Sequence, residues 1–200
     1  MWVVKLGGSL AEDPLLVDWL ELLTDLGGGR VIIVPGGGGF AESARRAQTL
    51  WHFDDLAGHN MAVLGMGQFA FMLNGMHAEL EMCANEQDMI STMRRGRVAL
   101  WIPLNLLRQQ VDELTSWSVT SDSLALWLAK RLNAERVVLV KACEIPVFEH
   151  WQELADCGVV DHRFPELASG SGNVISLLER TALPTMRAML LDAHTPCALP

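Results

Sequence analysis

The chain has 200 residues, half of them hydrophobic and a fifth charged, which fits one globular domain with a sizeable core and excludes a disordered chain. Its net charge of -9 excludes a broad basic surface of the kind that binds nucleic acid. No apolar run reaches the roughly 20 residues of a bilayer span, and no basic N-terminal region leads into a long apolar stretch. Cys83, Cys143, Cys157 and Cys197 form no CxxC pair, so a cytoplasmic protein with reduced thiols is expected.

Trp2–Leu6 is short and β-branched and predicts a strand buried on both faces, with Gly7-Gly8-Ser9 directly after it. Pro14–Leu26 predicts a helix from the spacing of Leu15, Leu16, Trp19, Leu20, Leu22 and Leu23, with Asp13 as N-cap and Pro14 at its first position. Gly27-Gly28-Gly29 ends it. Arg30–Val34 repeats the first strand, runs through Pro35 into Gly36-Gly37-Gly38-Gly39, and leads to a helix over Phe40–Gln48. Strand, turn and helix in alternation predict a parallel sheet with helices on its faces.

The Met-rich segment Asp54–Met82 predicts two helices, or one bent near Gly65–Gly67, its methionines serving as core. Met89–Ser91 and Val98–Ile102 read as strands, Pro103–Val111 as a short helix and Val111–Val119 as polar loop. Ser121–Leu132 is helical, capped by Thr120 or Ser121. Val137–Val140 and Val174–Leu177 complete the strands, a helix follows Pro184, and the last residues read as a loose tail. Nothing divides the chain, which predicts a single domain over 1–200.

Three places can carry chemistry. Lys5 interrupts an apolar strand and is costly to bury unpaired. It is either a lysine snorkelling at the strand end or a cation bridging phosphate oxygens beside the glycine turn. Gly36–Gly39 is either a flexible turn or an anion site at a helix N-terminus, where unpaired N–H groups gather. Asp122 is either an aspartate favoured by the helix dipole or an acid that orients lysines around a transferring phosphoryl group. Neither turn matches the P-loop pattern or the dinucleotide fingerprint. The histidines at 52, 77, 150, 162 and 194 lack metal-ligand spacing, and no metal site is expected.

Together, Val-Val-Lys-Leu-Gly-Gly-Ser at 3–9, Val-Pro-Gly-Gly-Gly at 34–38 and Thr-Ser-Asp-Ser-Leu-Ala at 120–125 resemble the amino acid kinase superfamily. The resemblance covers about residues 1–190. It implies a three-layer α/β/α sandwich around a mostly parallel sheet and an ATP-dependent phosphotransferase, with Mg2+ carried on ATP and direct in-line transfer. It also implies that Lys5 spans the two phosphoryl groups, while Gly7, Gly8 and Ser9 contact the nucleotide phosphates. On the same basis Gly36, Gly37 and Gly38 hold the acceptor beside Thr120, and Asp122 organises the lysines. Lys141 stands where many members read Leu-Thr-Asp. Here Val140-Lys141-Ala142-Cys143-Glu144-Ile145 departs from that pattern, and Lys141 is either a second phosphate lysine, as in uridylate kinases, or a plain strand-end lysine.

Phe40-Ala41-Glu42 with Arg45, the stretch 54–62, Trp117–Asp122 and Val160–Pro165 are similar to the small kinases of methanofuran biosynthesis. Those enzymes phosphorylate an aminomethyl-furanmethanol phosphate to the diphosphate. An anionic acceptor suits Arg45, or Arg45 is a solvated arginine. An ammonium on the acceptor suits Asp54 or Asp55, or these cap the next helix. His59 either bonds the acceptor or packs against the Met-rich helix. The alternatives are a related kinase acting on a carboxylate or a nucleoside monophosphate, and a non-catalytic nucleotide- or oxyanion-binding relative. Exposed apolar positions on the 54–82 helices suit a homo-oligomer, dimer or higher.

Overall fold

Strands β1 (Trp2–Leu6), β2 (Val31–Pro35), β3 (Glu81–Cys83), β4 (Ala99–Trp101), β5 (Arg136–Lys141) and β6 (Val174–Glu179) build one six-stranded sheet in the order β3-β4-β2-β1-β5-β6. Every pairing is parallel. The computed structural model describes residues 1–192; the expected tail, with His194 and Cys197, lies outside them. Around the sheet run α1 (Leu15–Gly27), α2 (Gly38–Trp51), α3 (Asp55–Met76), α4 (Glu86–Arg94), α5 (Ser121–Arg131), α6 (Trp151–Asp156), α7 (Phe164–Ser169) and α8 (Leu183–Asp192).

The alternation of side chains along a strand sorts the core into two layers. Trp2, Val4 and Leu6 of β1 pack with α1 and α8, through residues such as Trp19, Leu23 and Met186. Val3 faces the other way, toward α5, α6 and α7, through Leu124, Leu154 and Phe164. The result is the expected α/β/α sandwich. Lys5 shares the face of Val3, so its side chain is committed to the α5 layer. At the sheet centre the chain leaves β4 on one side of β1 and returns as β5 on the other, the switch point at which open parallel sheets form a crevice.

Four expectations are corrected. Met89–Ser91 is helix, not strand: Asn85 caps α4 by accepting from Asp88 N at 2.9 Å, and Met89 and Met93, one turn apart, are buried together. The strand beside it is β3, at the end of the segment expected to be helical throughout. Asp55–Met76 forms one helix of 22 residues capped by Asp54, with no break at its glycines. Gly65 is small for a different reason: a Cβ there would lie 2.8 Å from Ala41 N, so it lets α2 and α3 cross closely. Pro103–Leu106 is a 3-10 turn rather than a helix reaching Val111. No described helix is long and apolar enough to cross a membrane.

Candidate active site

The two glycine turns leave adjacent strands and meet. Gly7 N donates to Val140 O at 3.0 Å and Gly36 N to Leu6 O at 2.9 Å, which continues the ladder one residue past the strand ends. A Cβ on Gly8 would stand 2.0 Å from Gly38 N, and one on Gly36 would stand 2.2 Å from Gly8 N. The turns are thus in backbone contact, with no room for any side chain between them. Gly8–Glu12 is a 3-10 helix, and α2 starts at Gly38, whose φ of 52° suits glycine. Two helical starts therefore lie side by side, and helix starts carry unpaired N–H groups that suit an anion.

Beside this surface lies a charge cluster. Lys5, Asp122 and Lys141 are 5%, 4% and 7% exposed. Lys5 pairs in register with Leu139, so Lys141, two residues further along β5, points to the same face. Asp122 comes from the first turn of α5. Lys141 Nζ donates to Asp122 Oδ2 at 2.5 Å, and Lys5 Nζ lies 2.8 Å from Oδ1. Each carboxylate oxygen of Asp122 thus faces one ammonium group. A Cβ built on Gly7 would stand 3.7 Å from Lys5 Nζ, so this ammonium sits against the first turn.

Two cations share one anion out of water, and the cluster carries a net positive charge that an anionic ligand would neutralise. Burial pushes the Asp122 carboxyl up, but the charges of Lys5 and Lys141 outweigh it and hold the group below the usual range. Burial, together with the charge of Lys5, pushes Lys141 down to about 8 against the pull of Asp122. The unfolded chain therefore binds more protons here between pH 8 and 10.5, and this group's contribution to stability improves as pH rises through that window.

The same shift predicts how anions bind. A polyphosphate placed beside Lys141 favours its charged form, so above pH 8 binding takes up a proton and weakens as pH rises. Calorimetry of nucleotide binding in buffers of different ionisation heat should show that uptake in the wild type, and none in Lys141→Arg.

The turns floor a cavity of about 480 Å³. Among the residues singled out from sequence, Gly8, Ser9, Gly37, Gly38, Arg45 and His59 line it, as does Thr120. Gly7, Gly36, Lys5, Asp122 and Lys141 are buried beyond the lining, Asp122 directly after the lining residue Ser121. Arg45 is exposed and lies over the ring of Trp117 at the cavity wall, 4.7 Å from its centroid. His59 Nε2 is 3.0 Å from Leu106 O. A carbonyl only accepts, so Nε2 donates there and is not available to an acceptor molecule. Thr120 Oγ1 donates to Asp161 Oδ2 at 2.9 Å.

Asp55 does not reach the cavity. Asp54 takes the N-cap of α3, and Asp55, in the exposed first turn, accepts from Gln48 Nε2 at 3.0 Å. Gln48 Oε1 in turn accepts from Trp117 Nε1, which places Asp55 behind the wall. The carboxylates that line the cavity are Glu12 and Glu42. Glu12, Gln48 and Asp161 escaped sequence reasoning as site residues. An aspartate three residues before Phe164-Pro165 was a readable N-terminal signal for α7, but nothing local tells that it also reaches α5.

The amino acid kinase family model matches residues 1–144. Over 144 residues the chain is 28% identical to the (5-(aminomethyl)furan-3-yl)methyl phosphate kinase of Methanocaldococcus jannaschii, an alignment covering 70% of this chain and 64% of that protein. The chain thus matches just under two thirds of that relative's length. In fold it is similar to the UMP kinase from Bacillus anthracis, with a TM-score of 0.71 at 17% identity over 96% of this chain and 92% of that one. It is also similar to isopentenyl phosphate kinase, with a TM-score of 0.63 at 15% identity over 96% of each chain. The family match spans β1 to β5, and with them both glycine turns and all three members of the charge cluster. The chain belongs to the amino acid kinase family.

Proposed function

We propose that this chain is an ATP-dependent kinase that converts a phosphomonoester into a diphosphate, its acceptor an aminomethyl-furanmethyl phosphate. The observation that carries the reaction is the buried Lys5–Asp122–Lys141 cluster set against two glycine turns in backbone contact. In the reaction an acceptor phosphate oxygen forms a bond to the γ-phosphorus of ATP. The bond from that phosphorus to the β,γ-bridging oxygen breaks, and ADP leaves with the electron pair. A phosphate dianion attacks without losing a proton, so no general base is needed, and positioning with charge neutralisation is the whole task. Magnesium carried on ATP neutralises charge across its outer phosphates. Gly7, Gly8, Ser9 and Lys141 hold the donor, Gly36, Gly37 and Gly38 hold the acceptor, and Lys5 lies between them.

The acceptor is narrowed by the cavity wall. Arg45 suits the acceptor phosphate, and Glu42, three residues before it and so on the same side of α2, suits an ammonium. A carboxylate there attracts an aminomethyl cation and repels an acceptor that is anionic only. The relative from M. jannaschii is named for a substrate with both groups. Use of ATP fits a cytoplasmic setting, and Met61, Leu64, Phe71 and Met76, exposed on α3, suit self-association, which light scattering tests.

ADP release with magnesium ATP decides the reading when measured against the aminomethylfuran phosphate, isopentenyl phosphate, UMP and a simple carboxylate. The furan phosphate should be the preferred acceptor. Glu42→Gln should raise its KM by about tenfold or more, with Asp55→Asn unchanged. ATP binding without turnover on any acceptor would overturn the reading in favour of a nucleotide-binding relative.

A further inference from the structure

Asp161 lies in the loop between α6 and α7 and contacts neither Lys5 nor Lys141, yet its carboxylate gathers the start of α5. Oδ2 accepts from Thr120 N at 2.9 Å, Thr120 Oγ1 at 2.9 Å and Ser123 N at 3.0 Å. Oδ1 accepts from Ser123 Oγ at 2.5 Å, Phe164 N at 3.0 Å and Arg163 N at 3.2 Å. One carboxylate thus caps two helices at once. Thr120 occupies the N-cap position of α5 but makes no cap bond with its own side chain; the cap comes from Asp161.

These bonds bracket Asp122. Thr120 and Ser123 stand two residues before it and one after, and both are tied to the one carboxylate, Thr120 through Oδ2 and Ser123 through both oxygens. The far end of the tie is firm: Phe164 is fully buried and packs edge-on against Trp151 at 5.3 Å between ring centroids, and Arg163 N donates to Ser118 O at 3.0 Å. A carboxylate only accepts, so every donor around it is matched. An asparagine of the same shape would turn an NH2 toward donors on one side.

We propose that Asp161 is a positioning residue for phosphoryl transfer, holding the first turn of α5 so that the Asp122 carboxylate stays between Lys5 and Lys141. This rests on the kinase reading for its kinetic consequence, but the placement of Asp122 can be read without turnover. The groups acting on the Lys141 ammonium are Asp122, Lys5 and Cys143. If Asp161 holds Asp122 in place, its loss weakens the Asp122 pull and drives Lys141 further down.

The test is a titration of the lysine 13Cε signals by NMR in wild type, Asp161→Asn and Met186→Ala, with Lys141→Arg supplying the assignment. Met186 is buried in the opposite layer, so it controls for general loss of stability. The Lys141 midpoint should fall by half a pH unit or more in Asp161→Asn and stay put in Met186→Ala. In the same variant kcat should fall more than tenfold while the KM for ATP changes less than threefold. If Asp161→Asn does not fold, Ser123→Ala replaces it, with a smaller shift in the same direction expected. An unshifted Lys141 midpoint in the folded variant, or kcat within twofold of wild type, overturns the proposal. A wild type without turnover would remove the kinase reading and leave the titration to decide the role of Asp161.

Discussion

Asp122→Asn is expected to abolish measurable turnover and to destabilise the fold by about 3–5 kcal/mol near neutral pH, the cost of stripping buried charges of their partner. Two ammonium groups would then face each other out of water, with only an amide between them. Lys141, already pushed down to about 8, offers an escape, since it can lose its proton. Loss of the Asp122 pull drives the Lys141 midpoint below 8, so the penalty should shrink as pH rises toward 8 and level off above it, a signature that ordinary loss of packing does not show. Urea denaturation at pH 7 and pH 9.5 measures it. A penalty below about 1 kcal/mol at both values would mean that Asp122 does not organise the lysines.

Lys5→Met is expected to separate activity from stability. It leaves Lys141 paired with Asp122 at 2.5 Å and removes the excess positive charge, so the folded state should lose little or even gain. The proposed reaction loses the cation set against the first glycine turn, where the charge of the moving phosphoryl group is proposed to lie. Removal of one such stabilising group typically costs about a hundredfold to a thousandfold in rate, and kcat should fall by at least that much with little change in the denaturation midpoint. Lys141 should also titrate at higher pH, having lost the repulsion of Lys5. Near-wild-type turnover in Lys5→Met would be incompatible with in-line transfer past this lysine.

What the sequence made legible was local. Trp2–Leu6 and Arg30–Val34 announced buried parallel strands because they are short, apolar and followed by glycine, but that the two glycine turns touch each other was not readable from either alone. Lys5 and Asp122 stood out as charges in apolar or helix-starting contexts. Met89–Ser91 misled because three residues are too few to show a period, and the signal that mattered was Asn85 three residues before Asp88. Asp55 was chosen for its charge, but the N-cap at Asp54 turns the first turn of α3 toward Gln48 and away from the cavity. Asp161 and Gln48 act across 38 and 69 residues of chain, and no local pattern reports such bonds.

The most direct measurement is 31P NMR of the wild-type protein mixed with magnesium ATP and the aminomethylfuran phosphate. Transfer between two phosphates held on adjoining turns predicts that the acceptor's monoester signal is replaced by the coupled pair of a diphosphate as ATP becomes ADP in equal amount. An unchanged monoester signal, with ATP intact or released only as inorganic phosphate, would contradict it.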